Sequence, residues 1–383
     1  MKFEKSRKSL IVFPKGRIDS STAQDVERDI LETAQNNSPF EKLILDFSDV
    51  DYISSAGLRS ILRIKQTYED TSVIETSLEV YETFSMTGFT ELMEIRKALR
   101  KVDISKAEVI GDGFFSTVYR LDGDTIVKVF NRTSDPHQIE RELKLAKQAF
   151  VLGIPTALSF DIVRAGDKLG VVFEMLDCNS LKTMVAMHPE KLSEYVDKYV
   201  ALLKKINTTT CDSPEIPKMK KFYQEKVETI KEHLGDKYYK KAKQIVDKIE
   251  DRSTFIHGDC HFKNIMVQEE ELLLIDMDTL SVGHPIFEFA QLYAPYCAFE
   301  EDDPGNVKKF LGVEAEDTRR LFNALLTRYL GKQDEDILNK IRLVCYIHMV
   351  WWTTVNQPDN KVRLNGCKER LLSLLDKYDD VNF

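Results

Sequence analysis

Apolar and polar positions follow two regimes along this chain. In the first hundred residues, short alternating runs at 9–13 and 42–47 are separated by helical stretches, the pattern of a mixed sheet with helices packed on it. The alternation resumes at 109–119, where it is interrupted by Gly111, Gly113 and Ser116, and again at 125–130, a half-buried strand that places Lys128 on its polar face. Pro136 opens a segment with Ile139, Leu143, Ala146 and Phe150 on one stripe, which predicts a helix. Residues 169–175 read as a buried strand running into a connector. Beyond residue 276 the period becomes helical, with apolar stripes at 287–293, 321–329 and 337–352 that predict core helices. Between the regimes, 96–105 alternates charged residues with single aliphatics and has no glycine or proline, so a stiff connector is expected. The chain therefore divides into a module at 1–103 and another at 104–383.

The second module carries the chemistry. His257-Gly258-Asp259-Cys260-His261-Phe262-Lys263-Asn264 is followed by Ile275-Asp276-Met277-Asp278. Phosphoryl transfer needs a carboxylate facing the attacking hydroxyl and two further oxygen ligands that hold magnesium against the phosphates. The segment offers that set in order. It resembles the catalytic and metal-binding loops of the aminoglycoside phosphotransferase and choline kinase group, whose fold is similar to that of protein kinases. The resemblance implies a bilobal fold, with a β-rich small lobe at 104–175 and a helical large lobe at 176–383. It implies ATP and magnesium as cofactors, with Asp259 as the base and Asn264 and Asp276 as metal ligands. Gly111, Gly113 and Ser116 would cover the phosphates, Ser116 standing where protein kinases usually carry a third glycine. Lys128 would grip the α- and β-phosphates. Glu142 is its implied ion-pair partner, Glu140 the alternative. Glu174 to Leu176 mark the hinge that would meet adenine. His257 is expected to brace the loop, His261 to touch either the phosphate or the loop, and Asp278 could assist magnesium. Glu288 continues the pattern after Gly283 and Pro285, standing where the family often has Asp, and a structural role is expected for it.

In the first module, Gly16-Arg17-Ile18-Asp19-Ser20-Ser21-Thr22-Ala23, Leu43-Ile44-Leu45-Asp46-Phe47 and Val50-Asp51-Tyr52-Ile53-Ser54-Ser55-Ala56-Gly57-Leu58 resemble the domain shared by sulfate transporters and anti-sigma-factor antagonists, STAS, over about 1–103. In the bacterial antagonists the serine after the third strand is phosphorylated by a partner kinase, and Ser55 is the matching residue. An aspartate usually precedes that serine; here Ser54 does. Ser54 or Ser55 could equally be the N-cap of the following helix. Asp19 would cap the helix after it or shape the rim of this site. The fold class expected for the whole chain is α/β and α+β: a STAS mixed sheet with packed helices, then a protein-kinase-like pair of lobes.

Composition limits the rest. The chain has 383 residues with 43% hydrophobic content, enough for ordinary buried cores. A net charge of −9 argues against a nucleic-acid partner. The longest apolar run, 344–355, is broken by His348 and threonines, and the apolar residues at 10–13 are too few for a signal-peptide core, so neither a membrane span nor a leader is expected. Six scattered cysteines without paired spacing suggest reduced thiols in a cytoplasm, and Cys260 is expected to pack rather than react. Glu300, Glu301, Asp302 and Asp303 form an acidic run that could attract a cationic acceptor or be a solvated loop. Trp351 and Trp352 offer stacking faces, one of them expected in the core, and by the resemblance the insert at 222–249 helps to build the acceptor pocket. The leading expectation is transfer of the γ-phosphate of ATP to a hydroxyl of a small molecule, with the STAS module regulating it or docking a protein partner. The alternatives are a protein serine as acceptor, Ser55 included, and a scaffold that binds nucleotide without turnover.

Overall fold

The computed structural model describes residues 1–113, 116–131 and 136–383, with 136–138 described by backbone alone. Phe114 and Phe115 of the glycine-rich turn and the side chain of Pro136 lie outside the described residues. The chain forms two compact units, Met1–Val102 and Asp103–Phe383.

In the first unit, strands Lys2–Lys5, Ser9–Phe13, Lys42–Asp46, Thr71–Thr76 and Ile95–Lys97 lie side by side in that order; the first pair is antiparallel and the others parallel. Strict alternation buries Leu10, Val12, Leu43 and Leu45 completely. The helix Ser55–Thr67 lays Leu58, Ile61 and Ile64 against this sheet, each burial contributing about 1.5–3 kcal/mol. Its N-cap is Ser54, whose hydroxyl accepts from the amides of Ala56 at 3.2 Å and Gly57 at 3.5 Å, so Ser55 is the first helical residue and its side chain is exposed. Asp19 serves its own loop, accepting from the Ser21 amide at 3.0 Å and hydroxyl at 2.7 Å. Gly57 is where the helix touches the ends of two paired strands, Lys15–Ile18 and Asp49–Ile53: a Cβ there would lie 2.6 Å from the Ile18 carbonyl oxygen and 2.7 Å from Ile53 Cγ1. Gly57→Ala is therefore expected to destabilise this unit by about 1–3 kcal/mol, measured by chemical denaturation; an unchanged midpoint would mean the helix can lift away freely.

The second unit has two lobes. Five antiparallel strands of the small lobe run in the order Ser159–Ala165, Lys168–Glu174, Thr125–Phe130, Ser116–Arg120, Val109–Asp112. Strand Thr125–Phe130 is central, and here the expectation of a polar face fails. Val127, Lys128, Val129 and Phe130 are all buried, because helix Pro136–Val151 covers the side that an amphipathic strand would leave wet. That helix is rotated slightly from its predicted phase. Ile139 and Ala146 are buried as expected, but Ala149 takes the inward position of the last turn and Phe150 is 47% exposed.

The large lobe is helical around one core, with helices Leu192–Thr208, Met219–Thr229, Pro285–Tyr293, Ala315–Leu330, Glu335–Asn356 and Lys361–Leu375. Among the described residues no helix is long and apolar enough to cross a membrane. Trp351 packs on the core and Trp352 stands beside Phe299 at 6.4 Å; neither is fully buried. The insert turns its inner face to this core, burying Tyr223, Lys226 and Val227.

Lys226 has no carboxylate in reach among the described residues. Its Nζ lies 3.0 Å from His348 Nδ1 and over the rings of Tyr223 at 4.3 Å and Trp351 at 5.0 Å. Burial brings its ammonium down to about 7. An unfolded lysine titrates at about 10.4, so between these values the unfolded chain holds a proton that the folded chain has lost. Stability should thus rise with pH from about 7 to about 10, the full penalty applying below 7. Lys226→Met is expected to be more stable than the parent at pH 6, by up to about 4 kcal/mol, with the gap closing as pH rises. Denaturation across a pH series checks this; a gap that does not depend on pH would count against it.

Candidate active site

Three elements from both lobes meet at Lys128. Its Nζ donates to Glu142 Oε1 at 2.9 Å and to Asp276 Oδ1 at 2.7 Å, which joins the central strand, the small-lobe helix and the loop after strand Glu271–Leu274. Glu142, not Glu140, is the partner. Burial opposes the ammonium, but Asp276, Glu142 and Asp278 outweigh it and hold its pKa well above the usual lysine range. Asp276 has φ +66°, a left-handed backbone that costs a non-glycine residue on the order of 1 kcal/mol and persists only where the surroundings enforce it.

The loop 257–264 is held by hydrogen bonds within itself and to the Asp276 segment. Asn264 Nδ2 donates to Asp259 Oδ2 at 2.9 Å and to the Asp259 carbonyl at 3.0 Å, leaving its own carboxamide oxygen free of that pair. The Ile275 amide donates to the Asn264 carbonyl at 3.0 Å, so the loop and the Asp276 segment share a ladder. His257 is wholly buried; its Nδ1 accepts from the Asp259 amide at 3.2 Å, which puts its proton on Nε2, 3.2 Å from the Ile275 carbonyl. Burial keeps it neutral, with its pKa lowered to about 4. It spans the two halves of the motif as a brace. Gly258, at φ +82°, could not carry a side chain, since a Cβ would meet the Thr279 carbonyl oxygen at 3.1 Å.

The Asp259 carboxylate is 43% exposed to the cleft, yet protein surrounds it on the other sides. That burial, with the charge of Asp276 next, pushes its pKa up to about 7. Oδ1 faces His261 Nε2 at 3.5 Å, and the edge of Phe310 stands 5.4 Å from the His261 ring. Asp278, also raised by burial and by Asp276, lies in the same group.

Several residues hold this loop, among them Glu288 in the structural role expected for it. Glu288 is wholly buried, and its carboxylate accepts from the amides of His257 at 2.7 Å and Gly258 at 3.2 Å. Tyr296 accepts from the Phe262 amide at 2.8 Å, and Tyr199 donates to the Cys260 carbonyl. Thr279 donates to the His257 carbonyl at 2.6 Å. The two tyrosines belong to none of the motifs read from the sequence. Cys260 is fully buried and its thiol is held well above its ordinary pKa by that burial, so it packs. A cavity of about 730 Å³ is lined by Leu181, Lys182, Val196, Tyr199, Phe262 and Leu321.

The acidic run differs from expectation, and the start of the hinge is tied to the neighbouring strand. The Glu174 amide donates to the Leu158 carbonyl at 2.9 Å while its carboxylate accepts from the Leu158 amide at 2.7 Å, so both fasten the sheet edge. Leu176 is buried just beyond. Each acid of the run 300–303 already has a partner, although Asp303 stays exposed. Glu300 accepts from the amides of Gly305 and Val307, Glu301 from Tyr293 and Tyr346, Asp302 from Arg370, and Asp303 from Arg363.

The glycine turn is a hairpin in which Gly111 pairs with Val118 and the Gly113 amide donates to the Ser116 carbonyl at 2.9 Å. Among the described residues no group of three or more His, Cys, Asp or Glu side chains could hold a metal alone. Asn264 and Asp276 nonetheless suit magnesium delivered on a nucleotide, because that ion takes one or two protein oxygens and completes its shell with phosphates and water.

Comparison with known proteins agrees with this architecture. The sequence model of the phosphotransferase enzyme family matches residues 106–322, and that of the STAS domain matches 1–102. The chain belongs to the phosphotransferase enzyme family and carries a STAS domain before its phosphotransferase unit. A putative anti-sigma factor antagonist, BtrV of Bordetella bronchiseptica, is 30% identical over 90 residues, covering 22% of this chain and 76% of that protein. Among solved structures, the gentamicin complex of APH(2'')-IIa is similar at 14% identity and TM-score 0.48, over 80% of this chain and 99% of that one. ADP-bound aminoglycoside phosphotransferase APH(2'')-Ib is similar at 14% identity and TM-score 0.49, over 70% and 95%.

Proposed function

We propose that this protein transfers the γ-phosphate of ATP to a hydroxyl of a small molecule, with magnesium, and that its STAS domain regulates the reaction or binds a protein partner. The observation that carries this reading is the joining of Lys128, Glu142 and Asp276 across the lobes, with Asp259 and Asn264 on the other wall of the same cleft. Lys128, held by Glu142, orients the α- and β-phosphates beneath the hairpin of Gly111, Gly113 and Ser116. Asn264 and Asp276 hold magnesium, which when bound neutralises phosphate charge. Glu174, tied to Leu158 through its amide and carboxylate, and Leu176 carry the hinge backbone that meets adenine. Asn264 Nδ2 fixes the Asp259 carboxylate, which accepts the proton of the attacking hydroxyl. The new bond joins that oxygen to phosphorus as the bond to ADP breaks.

The full chain, given ATP and magnesium and a panel of hydroxylated metabolites, should consume ATP in a manner that chelation of the metal stops. Absence of any consumption that depends on Asp259 would remove the proposal. In the STAS domain the exposed Ser55, at the positive end of its helix, is the site at which a phosphate would change the surface offered to a partner. Intact-mass and peptide analysis of the same incubation, without acceptor, tests whether the chain modifies Ser55 itself.

A further inference from the structure

Asp259 presents two sides. Oδ2 is taken by Asn264, toward Asp276 and Lys128, whereas Oδ1 looks toward His261 with Phe310 behind it. An alcohol that gives its proton to Asp259 therefore arrives on the side of Phe310. Two amines gather there. Lys263 Nζ donates to the Phe310 carbonyl at 3.2 Å and lies 4.9 Å over the Phe310 ring. Lys182, whose amide donates to the Phe262 carbonyl at 3.2 Å, brings its Nζ so near Gly312 that a Cβ there would meet it at 2.5 Å. The two side chains thus converge on the turn from Phe310 to Gly312. Neither forms an ion pair among the described residues.

The acids that could neutralise them are engaged elsewhere: Glu314 pairs with Lys308, and Glu316 and Asp317 with Arg320. The acidic run 300–303 is likewise spent on its own partners, so among the described residues no carboxylate is paired with either amine. Crowding two unneutralised ammonium groups beside a reacting centre costs free energy unless an anion joins them in the working complex.

Resting on the phosphotransferase reading above, we infer that the acceptor is an anionic alcohol. Its carboxylate or phosphate monoester is held by Lys263 and Lys182 against the Phe310 wall while its hydroxyl sits at Asp259. Polycationic acceptors would be repelled by the same pair.

The test uses the full chain with ATP and magnesium and three sets of acceptors. These are anionic alcohols (glycerate and gluconate for the carboxylate, glycerol 3-phosphate for the phosphate), neutral sugars (glucose and ribose), and cationic alcohols (choline and kanamycin). Transfer is expected to the anionic set, with KM rising with salt, and which anionic arm responds identifies the group. Lys263→Met and Lys182→Met should each raise that KM by about tenfold or more while the Kd for ATP stays within about twofold. Transfer to neutral or cationic alcohols alone overturns the inference, as does a loss that falls on ATP affinity instead, which would assign the amines to the nucleotide. If none of the sets is phosphorylated but Asp259-dependent ATP hydrolysis persists, the acceptor class is wrong and the phosphotransferase reading stands. If that hydrolysis is also absent, both fall.

Discussion

Asp259→Asn is expected to lower phosphoryl transfer by about a thousandfold while leaving the fold and the affinity for ATP intact. The substitution is nearly isosteric, and Asn264 Nδ2 can donate to an amide oxygen as it does to Asp259 Oδ2. What is lost is the ability to take a proton. The parent protein should show the same requirement in its pH profile. Because the Asp259 pKa is raised to about 7, kcat/KM should climb about tenfold per pH unit below 7, where the carboxyl is protonated, and level off above it. The inflection should vanish from whatever activity Asp259→Asn retains. Steady-state kinetics of both proteins from pH 5 to 9, with calorimetry for ATP binding, check this. A variant as active as the parent would exclude a base role for Asp259, and an inflection that survives in the variant would assign it to another group.

Glu288→Ala is expected to have the second largest effect, and through position rather than chemistry. The buried carboxylate receives the amides of His257 and Gly258, and removing it strands two buried donors where no water is at hand. The cost should be about 3 kcal/mol of stability. Transfer in the fraction that remains folded should fall by about a hundredfold, since a shift of about an ångström in the loop misplaces Asp259. Glu288→Gln keeps one acceptor oxygen but sets an NH₂ group against the other amide, so an intermediate loss is expected. Denaturation midpoints and kcat measured on the same preparations separate the two effects. A folded Glu288→Ala with parental kcat would show that the loop holds its shape without that carboxylate.

The side chains that the sequence motifs singled out are those that the tertiary structure brings together. Lys128, Glu142, Asp259, Asn264 and Asp276 come from a strand, a helix and two loops, and they share one cleft. They were legible because phosphoryl chemistry restricts which residue types can stand at short, ordered separations. The strand that carries Lys128 was legible as a strand, but not as one buried on both faces, since alternation describes one sheet face and says nothing about a helix laid over the other. The choice of Ser54 over Ser55 as cap turned on backbone angles that two adjacent serines do not distinguish.

Local pattern thus pointed to many of the strands and helices and to the short segments that hold Asp259, Asn264 and Asp276. Fold alone decided that the partners of Glu288 are the amides of His257 and Gly258, that Lys226 is buried beside His348, and that the acids at 300–303 meet Arg363, Arg370 and Tyr346. The division has a physical reason. Periodicity and chemical type act over a few neighbouring residues, whereas the partner that satisfies a buried polar group is set by the packing of helices distant in sequence, and nothing in a residue's own neighbourhood records which partner that will be.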